Sequence, residues 1–280
     1  MKLRFTKMHG AGNDFVVIDA TREPFRPTAA LLAHLGDRRF GVGCDQVLVV
    51  DPPASADIDF NYHIYNSDGS ESGQCLNGAR CFARYVREQG LSSKDSIRIR
   101  SGSSTMELHL LPDGQVRINA GAPVLEPARI PFHASVRAAS YPMKLDDGSL
   151  IEIGAVGMGN PHAVMRVDDV RNTPVEKIGQ ALQRHEAWPE SVNAGFMQVN
   201  DETHVTLRVY ERGAGETLAC GSGACAAVVA GRIWSELAER VHVTVRGGEL
   251  LVEWGGEGQP VWLTGPATTV FQGELEWQNI

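Results

Sequence analysis

The chain has 280 residues, 42% hydrophobic and 21% charged, which at roughly 150 residues per domain allows one large or two medium domains with a well-buried core. Its longest apolar runs, such as Ala224 to Ala230, fall far short of the about 20 residues of a membrane span. Lys and Arg total 26 against 34 Asp and Glu, a formal charge of -8 with no dominant basic stretch, so a nucleic-acid scaffold is disfavoured.

Near the start, Lys2, Arg4 and Lys7 precede Phe15-Val16-Val17-Ile18, an apolar run too short for a signal-peptide core. A chain that stays in the cytoplasm is expected. The five cysteines show no Cys-x-x-Cys pairing and read as reduced thiols. Gly10-Ala11-Gly12-Asn13 reads as a turn. Ile58 to Tyr65 alternates apolar and polar residues and reads as a strand entering a turn. Cys75 to Gln89 reads as a helix with a stripe of Ala79, Phe82, Ala83 and Val86, ended by Gly90. Ser96 to Arg100 and Thr105 to Asn119 follow as strands, with a turn at Pro112-Asp113-Gly114. Gly121-Ala122-Pro123 reads as a hinge. The series then starts again: Gly157-Met158-Gly159-Asn160, a strand from His204 to Tyr210, and an Ala-rich helix from Gly221 to Leu237. That helix is apolar nearly all round, so sheet is expected to enclose it. Val241 to Arg246 and Glu249 to Leu263 read as strands with turns at Gly247-Gly248 and Gly255-Gly256, and Gly265-Pro266 opens a tail expected to return to the first half.

The recurrence is visible residue by residue. Tyr65, Glu71, Cys75, Gly78 and Ala79 find the same residue types 145 positions later at Tyr210, Glu216, Cys220, Gly223 and Ala224, where chance predicts about one match in fifteen. The expected architecture is α/β of the α+β type: two pseudo-symmetric duplicated domains, 1–120 with the tail 266–280, and 121–265. Each is a mixed sheet or barrel wrapped round a central helix.

Cys75 and Cys220 each open a helix, where unpaired N–H groups and the macrodipole favour negative charge and hence a thiolate. The N–H groups of Leu76 and Asn77, and of Gly221 and Ser222, form a ready carboxylate site. With pseudo-two-fold symmetry the two helix starts can face one cleft, and a thiol pair on opposite faces of one carbon is what inversion by proton transfer needs. Cys44, Cys81 and Cys225 read as small buried hydrophobes. A thiol redox pair is the competing chemistry for Cys75 and Cys220, weakened by the lack of a resolving neighbour. Duplication makes Asn13 and Asn160 ligand candidates. His162 is balanced between core residue and site residue, and Arg212 sits in a glycine-bounded turn suited to binding an anion. No metal cluster, pyridoxal lysine or dinucleotide fingerprint is apparent.

The segments Lys7-Met8-His9-Gly10-Ala11-Gly12-Asn13-Asp14-Phe15, Asn66-Ser67-Asp68-Gly69-Ser70-Glu71, Gln74-Cys75-Leu76-Asn77-Gly78-Ala79-Arg80, Met158-Gly159-Asn160-Pro161-His162 and Glu211-Arg212-Gly213-Ala214-Gly215-Glu216-Thr217-Leu218-Ala219-Cys220-Gly221-Ser222-Gly223-Ala224 resemble the diaminopimelate epimerase family along essentially the whole chain. The resemblance implies a pyridoxal-independent, metal-free isomerase that interconverts LL- and meso-2,6-diaminopimelate for lysine and peptidoglycan synthesis, as a cytoplasmic homodimer. Cys75 and Cys220 are the implied catalytic bases, tuned by His162 and Glu211. Backbone groups of Leu76, Asn77, Gly221 and Ser222 are implied to hold the reacting carboxylate. Asn13, Gln46, Asn66, Asn160, Asn193, Glu211 and Arg212 are implied to bind the amines and the distal end. Such a zwitterion needs balanced donors and acceptors, which Asn and Gln supply without net charge.

Two positions depart from the family pattern: Leu76 stands where Gly is usual, and Ser222 where Thr is common. Leucine fits an ordinary first helical position, whereas a positive φ there would strain it. Proline racemase or 4-hydroxyproline epimerase is the rival enzyme on the same scaffold. A non-catalytic carboxylate binder is the rival outside catalysis, and retention of both cysteines weighs against it.

Overall fold

Period-two burial runs through many of the strands, as in Ser96–Ser101 and Arg240–Val245, where valines and isoleucines point inward between polar neighbours. A computed structural model describes residues 2–277. Its strands and helices, in chain order, are β1 (Lys2–Gly10), β2 (Asn13–Asp19), α1 (Ala29–Gly36), β3 (Gln46–Asp51), β4 (Phe60–Asn66), α2 (Leu76–Glu88), β5 (Ser96–Ser101), β6 (Ser104–Leu110) and β7 (Val116–Asn119). Then come β8 (Tyr141–Lys144), β9 (Leu150–Gly157), β10 (Pro161–Arg166), α3 (Val175–Arg184), β11 (Asn193–Asp201), β12 (His204–Glu211), β13 (Gly215–Glu216), α4 (Gly221–Ile233), β14 (Arg240–Val245), β15 (Gly248–Trp254), β16 (Val261–Gly265) and β17 (Thr268–Glu276). The architecture is α+β, mostly sheet. Among the described residues no helix is long and apolar enough to cross a membrane.

The chain divides into two units, Met1–Ile118 with Gly265–Ile280, and Asn119–Thr264. These boundaries fall just ahead of the Gly121-Ala122-Pro123 and Gly265-Pro266 turns. In the first unit β17 pairs with β1 and β1 with β2, both antiparallel. The ladder continues parallel to β3, antiparallel to β4, parallel to β5, then antiparallel to β6 and β7. The second unit repeats this succession of senses: β8 to β9 and β9 to β10 antiparallel, β10 to β11 parallel, β11 to β12 antiparallel, β12 to β14 parallel, then β15 and β16 antiparallel. The duplication seen in the cysteine motifs is therefore also a duplication of topology, with the returning β17 filling in the first unit the place β8 fills in the second. The tail residues 278–280 lie outside the described residues.

In each unit one helix is enclosed by strands. Helix α2 packs on β1, β2, β3, β6 and β17, and α4 on β9, β10, β11, β12 and β15. Ala79, Phe82, Ala83 and Val86 are wholly buried on α2, and Ala224 to Val229 on α4. Both helices end in a Schellman motif. Leu91 N–H bonds to Val86 O and Gly90 N–H to Arg87 O; Glu236 N–H bonds to Gly231 O and Ser235 N–H to Arg232 O. The second stop was not expected, because the left-handed residue there is Ser235, φ 61°, where glycine is usual. Helix α4 accordingly ends at Ile233 and not at Leu237.

Gly78, in the first turn of α2, is tightly enclosed. A Cβ there would lie 2.3 Å from the Tyr62 hydroxyl and 3.2 Å from a Leu48 methyl. Tyr62 is fully buried, so its ring could give way only by shifting within packed surroundings. Gly78→Ala is expected to lower the free energy of unfolding by about 1–3 kcal/mol, read from urea denaturation; an unchanged midpoint would show that Tyr62 can move aside.

Candidate active site

In the first unit Cys75 closes the loop after β4 in an extended conformation and is the N-cap of α2. Its sulfur accepts the Gly78 N–H at 3.4 Å, and its carbonyl accepts the Ala79 N–H at 2.9 Å. The strand β2 starts at Asn13, after Gly12 in a left-handed conformation, φ 88°, and its side chain reaches the helix start. Asn13 Oδ1 accepts from the Cys75 thiol at 3.7 Å and from Asn77 Nδ2 at 3.2 Å. Gln46 and Asn66 face one another across β3 and β4, with Gln46 Nε2 donating to Asn66 Oδ1 at 2.9 Å. Asn66 Nδ2 donates in turn to Ser70 Oγ.

Leu76 is the first helical residue, buried, and not among the described non-glycine residues with positive φ, which are Ala11, Pro131, Ser191 and Ser235. A leucine in place of the usual glycine therefore introduces no backbone strain, and its N–H keeps its place at the helix start.

The second unit builds the matching corner. Cys220 is the N-cap of α4 and its sulfur accepts the Gly223 N–H, again at 3.4 Å. The Ser222 hydroxyl lies 3.6 Å from that sulfur. His162 on β10 places Nε2 3.1 Å from Ser222 Oγ and 2.8 Å from Asn160 Oδ1. Since an amide oxygen accepts, Nε2 carries the hydrogen. Asn160 follows Gly159, φ 81°, as Asn13 follows Gly12. Asn193 is buried with both ends of its amide engaged: Nδ2 donates to Pro161 O and Oδ1 accepts the Arg212 N–H, each at 3.0 Å. The Arg212 guanidinium is exposed, and Nη1 donates to Glu190 O at 2.7 Å. Glu211 accepts from Thr217 Oγ1 and from the Cys220 thiol.

The electrostatics of Cys220 run against the helix-start argument. Burial pushes its pKa well above the ordinary thiol value and the neighbouring Glu211 carboxylate adds to the push, while Ser222 and the Gly223 N–H pull the other way without prevailing. Cys220 therefore rests as a thiol, a correction to the expected thiolate: desolvation and a fixed anion outweigh a few oriented N–H groups. His162 is held neutral, its pKa pushed down to about 3, by burial first and then by the Arg212 charge. Burial likewise raises Cys44 to about 11 and Cys81 to about 12, in keeping with inert core thiols.

Three residues of the first corner were not singled out by sequence reasoning. Asp45 accepts from Asn13 Nδ2 at 2.8 Å. Arg80, wholly buried, donates Nη2 to Asn77 Oδ1 at 2.9 Å. The Tyr62 hydroxyl donates to the Cys75 carbonyl at 3.4 Å. The available signal was a charge in an apolar helical stripe for Arg80, and adjacency to Gln46 for Asp45. A concavity of about 770 Å³ in the second unit, lined by residues such as Phe132, Tyr141 and His185, holds none of the candidate residues. Among the described residues no group of three His, Cys, Asp or Glu side chains could hold a metal ion.

Glu211→Gln should remove the anion beside Cys220 and lower the pH midpoint of Cys220 alkylation; a midpoint that stays put would mean burial alone holds the proton. His162 couples stability to pH. Its folded pKa lies near 3 against an ordinary value of 6.5, so below pH 6.5 the unfolded chain binds a proton that the folded one refuses. The stability it contributes is whole above that value and is lost as pH falls towards 3. His162→Asn should flatten the decline in urea midpoint between about pH 6.5 and pH 4.5, and an equally steep decline in the variant would contradict the assignment.

The profile of the family described as diaminopimelate epimerase matches residues 5–126 and 154–270. A diaminopimelate epimerase of Alkalilimnicola ehrlichii is 53% identical over 277 residues, covering 98% of this chain and 99% of the relative. One from Azoarcus sp. is 55% identical over 276 residues, covering 99% of each. Among solved structures, a Bacillus anthracis phenazine biosynthesis protein of the PhzF family superposes with a TM-score of 0.68 at 16% identity over 99% of this chain and 100% of its own. A hydroxyproline epimerase from Agrobacterium vitis gives 0.69 at 14%, covering 98% and 92%. The distant structures share the two-domain duplicated fold; the near relatives, matched from end to end, decide the family. The chain belongs to the diaminopimelate epimerase family.

Proposed function

We propose that the protein interconverts LL- and meso-2,6-diaminopimelate in lysine biosynthesis, with Cys75 and Cys220 as its two acid/base groups. One observation carries this reading: both thiols occupy the same place in duplicated units, each capping an enclosed helix and each receiving the N–H of the third helical residue at 3.4 Å. In the reaction one sulfur, as thiolate, takes the α-hydrogen and leaves the C–H electron pair on the substrate carbon. The other, as thiol, delivers its hydrogen to the opposite face. The pair ends with its protonation states exchanged, and the reverse reaction starts from that state.

The developing negative charge needs donors already in place. The N–H groups of Leu76, Asn77, Gly221 and Ser222 are assigned to the reacting carboxylate. Asn13, Gln46, Asn66 and Asn160, with Glu211 and Arg212, are assigned to the ammonium groups and the distal end, and Asn193 to the same set by holding the Arg212 backbone. Glu211 and His162 tune Cys220: the carboxylate accepts its hydrogen, and the neutral imidazole orients the Ser222 hydroxyl beside it. The homodimer and the cytoplasmic location belong to the same reading and rest on the resemblance to the family.

In heavy water without added cofactor, LL-diaminopimelate is expected to give meso product carrying deuterium at the inverted carbon before the recovered starting isomer is labelled, because the incoming hydrogen arrives from the sulfur opposite abstraction. Cys75→Ala and Cys220→Ala should each reduce turnover by at least about 10³. Equal early labelling of both pools would end the two-base scheme, and inversion of proline or hydroxyproline in place of diaminopimelate would end the substrate assignment.

A further inference from the structure

The corner around Cys75 contains a run of side chains whose hydrogen-bond polarity is settled at both ends. Arg80 has donors only. Its Nε bonds to Pro266 O at 3.1 Å, Nη1 to Leu76 O at 3.5 Å and Nη2 to Asn77 Oδ1 at 2.9 Å. Asn77 must therefore show its oxygen to Arg80 and its NH2 to Asn13. At the other end the Asp45 carboxylate oxygens act as acceptors, and Asn13 Nδ2 donates to Oδ2 at 2.8 Å. Between a donor on one side and an acceptor on the other, the Asn13 amide has one orientation that satisfies both. It leaves Oδ1, which carries no hydrogen, 3.7 Å from the Cys75 sulfur. Only the thiol can supply the hydrogen for that contact.

Asp45 is exposed enough to wander, yet two further bonds hold its carboxylate, and a third residue pair anchors those partners. Its Oδ2 also accepts the Asp14 N–H at 3.2 Å, its Oδ1 accepts Arg38 Nη2 at 2.7 Å, and Arg38 forks onto both oxygens of Asp14 at 2.9 and 2.7 Å. Lys7, nearly buried, pins Asp14 at 2.5 Å. Lys7 also donates to Gly43 O, which fixes the loop that carries Asp45.

We infer that Asp45 is a positioning residue for Cys75: by fixing the Asn13 amide it makes the thiol the hydrogen donor in their contact and favours the protonated sulfur. This deepens the proposed function, since the importance of that protonation state for turnover rests on Cys75 being an acid/base group. Tyr62 on β4 and Cys81 on α2 also couple to the sulfur, both driven towards their neutral forms by burial. Asp14, Lys7, Arg38 and Arg80 are charged groups of the same corner. In the second unit the acceptor that takes the thiol hydrogen is the Glu211 carboxylate itself, with no amide between, and the Ser222 hydroxyl beside that sulfur can either give or receive a hydrogen.

The test is the pH dependence of iodoacetamide alkylation of each cysteine in the ligand-free, full-length chain, resolved by peptide mass spectrometry. Asp45→Ala removes one of the two locks on the Asn13 amide and leaves its orientation to the Asn77 NH2 alone, so that the Asn13 NH2 can reach the sulfur part of the time; it is expected to lower the Cys75 midpoint by about half a pH unit, raising its alkylation rate near neutrality about threefold. Asn13→Ala, which removes the acceptor, should shift Cys75 in the same direction. Asp45→Asn keeps an oxygen for Asn13 and should stay near the parent profile, and Cys220 should not move in any of the three. An unchanged or raised Cys75 midpoint in folded Asp45→Ala overturns the proposal, as does a response to Asn13→Ala alone. If Asp45→Ala does not fold, Arg38→Gln loosens the carboxylate from outside and should give a smaller shift of the same sign; no shift there overturns it equally. Because no substrate is involved, these outcomes are independent of whether diaminopimelate is the compound inverted.

Discussion

The start of a helix enclosed by sheet leaves N–H groups that water cannot satisfy, and in both units a cysteine sulfur is what meets them. This constraint governs the rest. A sulfur is a weak acceptor, so capping by it leaves the following N–H groups available to something else, which in the proposed function is the reacting carboxylate. The same placement puts the thiol at the boundary between a desolvated core and a polar corner. Small changes in its neighbours then decide whether it carries a proton, and the strands that bracket each helix start supply those neighbours.

The two corners solve that problem with different materials. Asn77, Arg80 and Tyr62 in the first unit correspond, at the offset of 145, to Ser222, Cys225 and Leu207 in the second. Where the first corner fixes a pair of asparagines, Asn77 on a buried guanidinium and Asn13 on a carboxylate, the second uses a neutral imidazole bridging Asn160 and Ser222. Duplication has thus conserved the position of the sulfur and of one asparagine, while the polar support behind them has diverged.

Much of this is legible in the sequence. The paired cysteine motifs, the α2 stripe and the closing Gly90 all follow from local pattern, because the interactions that set them lie within a few residues. The end of α4 was not legible, since Ser235 takes a conformation its side chain does not advertise. Nor was the protonation of Cys220: it depends on how many strands crowd the sulfur and on the side Glu211 faces, neither of which the helix-start signature contains. Asn13 was picked out through duplication, but its partner Asp45 lies 32 residues away in a loop whose place is set by Lys7 and Arg38. Such contacts belong to the assembled sheet and leave no periodic trace in the chain.

The pairing of β17 with β1 joins Lys2 to Glu276 and Leu3 to Leu275, the most widely separated partners in the ladder. On the ribosome this sets an order. The second unit is one continuous stretch and has all its strands once Thr264 has emerged, whereas the first, although made earlier, must wait with an edge of β1 uncovered until β17 is synthesised. The half that is translated first is therefore the half that is finished last, and its open edge during that interval is the part of the nascent chain most exposed to mispairing.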